Sequence, residues 1–190
     1  MALLEEARLD GLDLSGADLR DATLARASLV GAILRSSDLR QASLGRADLT
    51  GADLSGAVAD AASMDRARLD RCKVKGARLA FASFVQASLV GADLRDAVLT
   101  SARLVQSDLS AANARGADLT RADLSHANWQ AACFTGGRLV QANLHRVRGD
   151  ADLSGAAMDG ALRTDPELAR AEDFVPRRAP TQHAQEDSSR

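Results

Sequence analysis

Aromatic residues are almost missing from this sequence. Its 190 residues contain no tyrosine, one tryptophan and four phenylalanines. A core of ordinary size draws much of its volume from aromatic rings, so this one must be filled by alanine and leucine. An excess of one charge is missing too: 24 basic residues stand against 26 acidic ones. A generic nucleic-acid binder needs a basic surface, and direct nucleic-acid binding is not expected. No run of 18 apolar residues occurs, which excludes a transmembrane helix. The opening Met-Ala-Leu-Leu-Glu-Glu has neither a basic nor an apolar leader segment, so a cytoplasmic location is expected. Two cysteines cannot staple a chain this long.

What is present is a period of five. Leucine recurs from Leu4 through Leu9, Leu14 and Leu19 onward, filling 22 of 29 slots up to Leu144. Two residues earlier runs a second register, from Ala2 to Ala142, with alanine in 24 of 29 slots. A helix would scatter a step of five around its cylinder, at about 140° per step. A continuous strand would send successive leucines to opposite faces. The pattern works only if three residues are extended, so that Ala and Leu point the same way, and the next two turn a corner. The residue between Ala and Leu then points outward; it is often Asp or Asn, as at Asp13, Asp53, Asp93 and Asn128.

Nine of the 14 glycines sit two places after the leucine register. Gly11, Gly31, Gly51 and Gly91 are spaced by multiples of 20, and so are Gly16, Gly56, Gly76, Gly116 and Gly136. The other two corner columns hold no glycine up to Arg146. Four pentapeptides therefore close one coil. The glycine corners are expected to be type II turns, which require φ > 0 at the third position. Seven to eight coils stacked at the strand spacing give a rod roughly 35–40 Å long. Leu44, Leu49, Phe84, Leu89, Leu94, Trp129 and Phe134 are expected in its core.

Ala-Asp-Leu-Ser-Gly at 52–56, Ala-Asp-Leu-Arg-Asp at 92–96 and Ala-Asp-Leu-Thr-Arg at 117–121 resemble the pentapeptide-repeat proteins. The likeness covers about residues 2–148 and resumes over 151–162. It implies an all-β fold, a right-handed, four-sided parallel β-helix, in agreement with the count above. The best understood members of that family bind DNA gyrase as rod-shaped mimics of duplex DNA. They give protection from gyrase-targeting antibiotics or toxins. Charge argues against carrying this over, because a duplex mimic should be strongly acidic and residues 1–150 hold 18 acids and 19 bases.

The register breaks at Val147-Arg148-Gly149-Asp150 and resumes one residue early, as a one-residue deletion in a corner would produce. The solenoid is assigned to residues 1–163, with the slip near 149–150. Thr164-Asp165-Pro166-Glu167 carries a helix start, and a short helix is assigned within 164–175. An open solenoid end needs covering, and this helix either caps the last coil or makes a homodimer contact there. Residues 176–190 are polar and aperiodic and are expected to be disordered.

Little supports catalysis. His126, His145 and His183 have no metal-ligand spacing around them and are expected at the solvated surface. Cys72 points inward and Cys133 outward, about three coils and roughly 14 Å apart, beyond disulfide reach; both are expected as free thiols. A core of Leu and Ala leaves no substrate cavity, and no metal or cofactor is expected. Charge on the exterior is uneven. Residues 1–24 carry net −4, and residues 66–78 carry net +5 from Arg66, Arg68, Arg71, Lys73, Lys75 and Arg78 against Asp70. A column of Arg26, Arg46 and Arg66 climbs to meet that band. Phe81, predicted outward at a corner, has Val58 and Val98 on the adjacent coils. These residues are the candidate contacts for a protein partner. The expected function is a non-catalytic binding scaffold, with gyrase binding or an adaptor role in a bacterial secretion or assembly machine as alternatives.

Overall fold

In the computed structural model, which describes residues 2–173, the chain winds into eight coils. Parallel bridges join each outward residue to the one 20 positions on, from Leu3↔Thr23 to Asn128↔Arg148. The extended segments are so short that each coil contributes one bridged residue per face. We number the faces by their outward residues: face 1 begins at Leu3, face 2 at Arg8, face 3 at Asp13 and face 4 at Asp18. The expected core residues Leu44, Leu49, Phe84, Leu89, Leu94, Trp129 and Phe134 are all buried. Large and small residues compensate along a column, as where Ala114 and Phe134 are successive rungs. Ser37 and Ser107 replace alanine in the buried register, and each hydroxyl donates to the carbonyl three residues back, Leu34 at 2.8 Å and Leu104 at 2.7 Å.

The corners depart from the glycine pattern. Every regular corner, with or without glycine, has a positive φ at its third position; Arg26, Arg46 and Arg66 lie at 58°, 60° and 60°, Phe81 at 61°. Each corner closes by a turn bond such as Ala27 N–H to Leu24 C=O, 3.0 Å. All four corners are thus type II, because a right-angled bend after three extended residues allows no other hand. Glycine relieves the strain in some columns but is not required by it.

Backbone accounting explains the outward Asp and Asn. In a pentapeptide such as Ala22–Arg26, the leucine N–H, the outward residue's N–H and the corner N–H all bond neighbouring coils, as with Leu24 to Ser43 C=O at 2.7 Å. The N–H just after leucine has no backbone partner. A carboxylate or amide two residues earlier takes it: Asp13 accepts from Ser15 N–H at 2.9 Å, Asp108 from Ser110 at 2.9 Å, Asp152 from Ser154 at 3.0 Å. Elsewhere an Asp one coil earlier does so, as Asp60 does for Ala80 N–H at 3.0 Å. A buried or half-buried N–H left unpaired is costly, so these outward Asp residues act as turn caps.

These caps titrate. The Arg20 side chain, with the Arg20 N–H, holds the Asp18 carboxyl down at about 2, and the Ser154 hydroxyl and N–H do the same for Asp152. Both values lie below the ordinary 3.8. A carboxylate depressed in the folded state contributes stability above its unfolded value and loses it as pH falls through the folded one. Melting temperature is therefore expected to stay level down to about pH 4 and to fall between about pH 4 and 2. Asp152→Asn keeps the acceptor oxygen and should flatten part of that fall.

At the slip, bridge spacing drops from 20 to 19: Cys133↔Asp152, Arg138↔Ala157 and Asn143↔Leu162. Gly149 occupies a leucine slot and brings no side chain. Trp129, one coil earlier in that column, supplies the bulk, and its indole N–H donates to Gly149 C=O at 2.9 Å. After Leu162 the chain enters a single helix, α1, Pro166–Glu172. Asp165 caps it, accepting from Glu167 N–H at 2.8 Å. The part of the sequence assignment beyond 173, including the tail at 176–190, lies outside the described residues.

Candidate interaction surface

The two rod ends differ from the sides. The first coil leaves Leu4, Leu9 and Leu14 half-buried, with Leu3 77% exposed. At the other end α1 lies beside the first corner column. Arg146 donates to Ala169 C=O and pairs with Asp173 at 2.7 Å. Leu168 stays 50% exposed, and Leu153 and Met158 are half-buried around a recess of about 210 Å³.

His145 does not sit at the solvated surface as expected. It is 7% exposed. The segment leading into α1 crosses it, and Asp165 N–H reaches its Nδ1 at 3.4 Å. His126 packs edge-on against it, with ring centroids 5.6 Å apart. Its isolated place in the repeat gave no sign of this, because the covering segment comes from outside the repeat. His183 lies outside the described residues. Cys72 is buried, and burial pushes its thiol up; Cys133 is half-buried, and the Thr135 hydroxyl, with Arg115 behind it, lowers its thiol. Both are free. Among the described residues no group of three or more His, Cys, Asp and Glu side chains could hold a metal ion, and no helix is long and apolar enough to cross a membrane.

The basic candidates are all exposed: Arg26, Arg46, Arg66, Arg68, Arg71, Lys73, Lys75 and Arg78. The first corner column reads Glu6, Arg26, Arg46, Arg66, Gln86, Gln106, His126 and Arg146. Its arginines are partly neutralised. Arg26 pairs with Glu6 at 3.2 Å, and Arg66 donates to Gln86 at 2.9 Å, which donates in turn to Gln106 at 2.7 Å. The Arg46 side chain makes no hydrogen bond or ion pair among the described residues. Beside the column runs an open groove of about 620 Å³, lined on successive coils by Glu5, Ala25, Gly45, Asp65 and Val85. In the band, Arg68 pairs with Asp48 at 3.3 Å and Arg78 with Asp60 at 3.1 Å. Arg71, Lys73 and Lys75 have no ion pair among the described residues. Exposed pairs of this kind contribute little to stability, so their guanidinium groups can change partner at small cost.

Phe81 is 68% exposed at its corner. Val58 and Val98 lie on face 4, but both bridge Arg78. The three apolar residues therefore surround an arginine and do not form an unbroken apolar column.

Together these features define a class of protein: a four-sided parallel β-solenoid with a filled interior, open to partners only on its exterior. The chain belongs to the pentapeptide-repeat family, whose eight-copy profile matches residues 2–41, 37–76, 77–113 and 107–146. No curated protein sequence matches it. Among solved structures, a trypsin-treated form of QnrB1, a plasmid-mediated fluoroquinolone resistance protein, is 24% identical, with 91% of this chain and 89% of that one covered and a TM-score of 0.73. A second trypsin-treated QnrB1 form is 21% identical over 92% and 97%, with a TM-score of 0.69. HetL, involved in heterocyst differentiation regulation in the cyanobacterium Nostoc, is 29% identical over 85% and 86%, with a TM-score of 0.40. The two QnrB1 likenesses show the right-handed β-helical fold.

Proposed function

We propose that this protein is a non-catalytic binding scaffold that engages a protein partner through its outer faces. The basic band at 66–78 and the arginine column leading to it form the contact surface. The observation that carries this reading is the presence of exposed cations with no ion-pair partner among the described residues, Arg46, Arg71, Lys73 and Lys75, on a rod whose interior is filled. Cations clustered this way repel one another, and an acidic partner surface relieves that repulsion while speeding encounter. Self-association through the C-terminal end, where Leu153 and Met158 remain half-buried, belongs to the same reading. In a co-purification experiment from the native host, Arg71→Glu/Lys73→Glu/Lys75→Glu is expected to lose the bound partner at physiological salt while melting unchanged. Retention of the full partner complement would remove the band from the contact.

The gyrase reading draws on the fold shared with QnrB1. A gyrase supercoiling assay separates the two. The balanced charge of residues 1–150 leads us to expect neither inhibition nor drug protection at micromolar protein. Protection there would put gyrase first.

A further inference from the structure

We infer that the first corner column receives the acidic face of an α-helix lying along the rod axis. This rests on the protein-binding reading above and names the partner's chemistry.

The argument begins with spacing. Corner side chains on successive coils are about 4.8 Å apart, so Arg26, Arg46 and Arg66 mark points at about 0, 4.8 and 9.6 Å along the rod. On an α-helix, residues i, i+3 and i+7 share one face and rise about 4.5 and 10.5 Å. Carboxylates there meet all three arginines within about 1 Å in axial position. On an extended strand, same-face residues i, i+2 and i+4 rise about 6.7 and 13.4 Å and fall out of step by the second rung. Beyond Arg66 the donors continue as the amides of Gln86 and Gln106, so a helix of three to four turns would find a donor at every rung.

Shape agrees. Gly45 has no side chain beside Arg46, and with Ala25 it keeps the groove floor low. On the coils of Arg26, Arg46, Arg66 and Gln86, the adjoining face 1 carries Thr23, Ser43, Ser63 and Ser83. Of the acids nearby, Asp65 of the groove accepts from the Ser83 hydroxyl and from Val85 N–H, and Glu6, at the foot of the arginine column, accepts from Arg26.

The protein also contains a related contact between a column arginine and a helix. Arg146, the last arginine of the same column, holds the end of α1 by Ala169 C=O and by the Asp173 carboxylate at 2.7 Å. A column arginine therefore reaches both a helix-terminal carbonyl and an acid at the helix end. Arg26, Arg46 and Arg66 present the same side chain at the same corner, and no helix among the described residues lies upon them.

The test uses the full chain and two labelled alanine-based peptides of equal composition, read by fluorescence anisotropy at low salt. One carries Glu at i, i+3 and i+7, the other at i, i+2 and i+4. The helix-spaced peptide is expected to bind about tenfold more tightly. Arg46→Glu should weaken it about tenfold or more through lost charge complementarity. Gly45→Phe should weaken it comparably by filling the groove. Gly45 has ordinary backbone and its nearest neighbour to an added Cβ is 3.8 Å away, so that variant should melt like the parent. Arg138→Glu, an exposed residue of face 4 away from the column, should leave peptide binding within about twofold of the parent. Equal affinity for the two peptides, tighter binding of a short DNA duplex, or indifference to Arg46→Glu overturns the inference. Absence of peptide binding, in a protein whose native partner is still lost on reversing the 71–75 band, overturns the helix assignment and leaves the broader reading standing.

Discussion

Leu89→Ala is expected to lower the unfolding free energy by about 2–5 kcal/mol, the range for a buried leucine whose cavity cannot close. Leu89 is fully buried at mid-rod, and its column neighbours are Leu69 and Leu109. The fold does carry alanine in leucine slots, at Ala59 and Ala114, both fully buried. Ala114 is followed by Phe134 in its own column, so ring volume fills the gap. No such residue flanks position 89, and the hydrogen bonds between coils hold the walls apart. Leu9→Ala, on the half-exposed first coil, should cost much less, since part of that side chain already meets water. Urea unfolding of the two variants checks this. Equal losses would mean that the interior is not the closely packed tube described above.

Gly149→Ala is expected to be the most damaging glycine substitution. Two effects add. The residue sits at φ +86°, where an L side chain costs about 1–3 kcal/mol. A Cβ there would also lie 2.7 Å from Gln130 Cα and 2.8 Å from Gln130 N. That neighbour is backbone and cannot swing away, so overlap adds about 1–3 kcal/mol. Gly136→Ala is the control. It shares a positive φ of 68° but has nothing within 4 Å of the added Cβ, and twenty non-glycine residues already occupy such corners. It should lose only about 1 kcal/mol. Thermal melts rank the pair, and Trp129 fluorescence should shift in the Gly149 variant alone, because the indole N–H is bonded to that residue's carbonyl. Similar melts for both would show that the shortened corner is not tightly closed.

The outward aspartates were legible as a pattern and not as a function. Their position between Ala and Leu marks them as exterior, but the unpaired N–H they cap appears only when every inter-coil bond is counted. The candidate surface was legible in part. Arg26, Arg46 and Arg66 could be placed in one column by counting in twenties. That the Arg46 side chain has no partner among the described residues while Arg26 has Glu6 depended on side-chain reach across coils. Phe81, Val58 and Val98 were correctly set on neighbouring coils, yet Arg78 separates the two valines.

The sequence by itself determined the coil. A five-residue period of alanine and leucine has one low-energy solution, because burial of both registers and pairing of the backbone demand the same four-cornered path. Tertiary structure alone decided the geometry of the glycine-free corners, the buried place of His145, the bond from Trp129 to Gly149 and the grip of Arg146 on α1. Each depends on a contact across coils or from beyond the repeat, where distance is set by stacking and cannot be read from position in the chain.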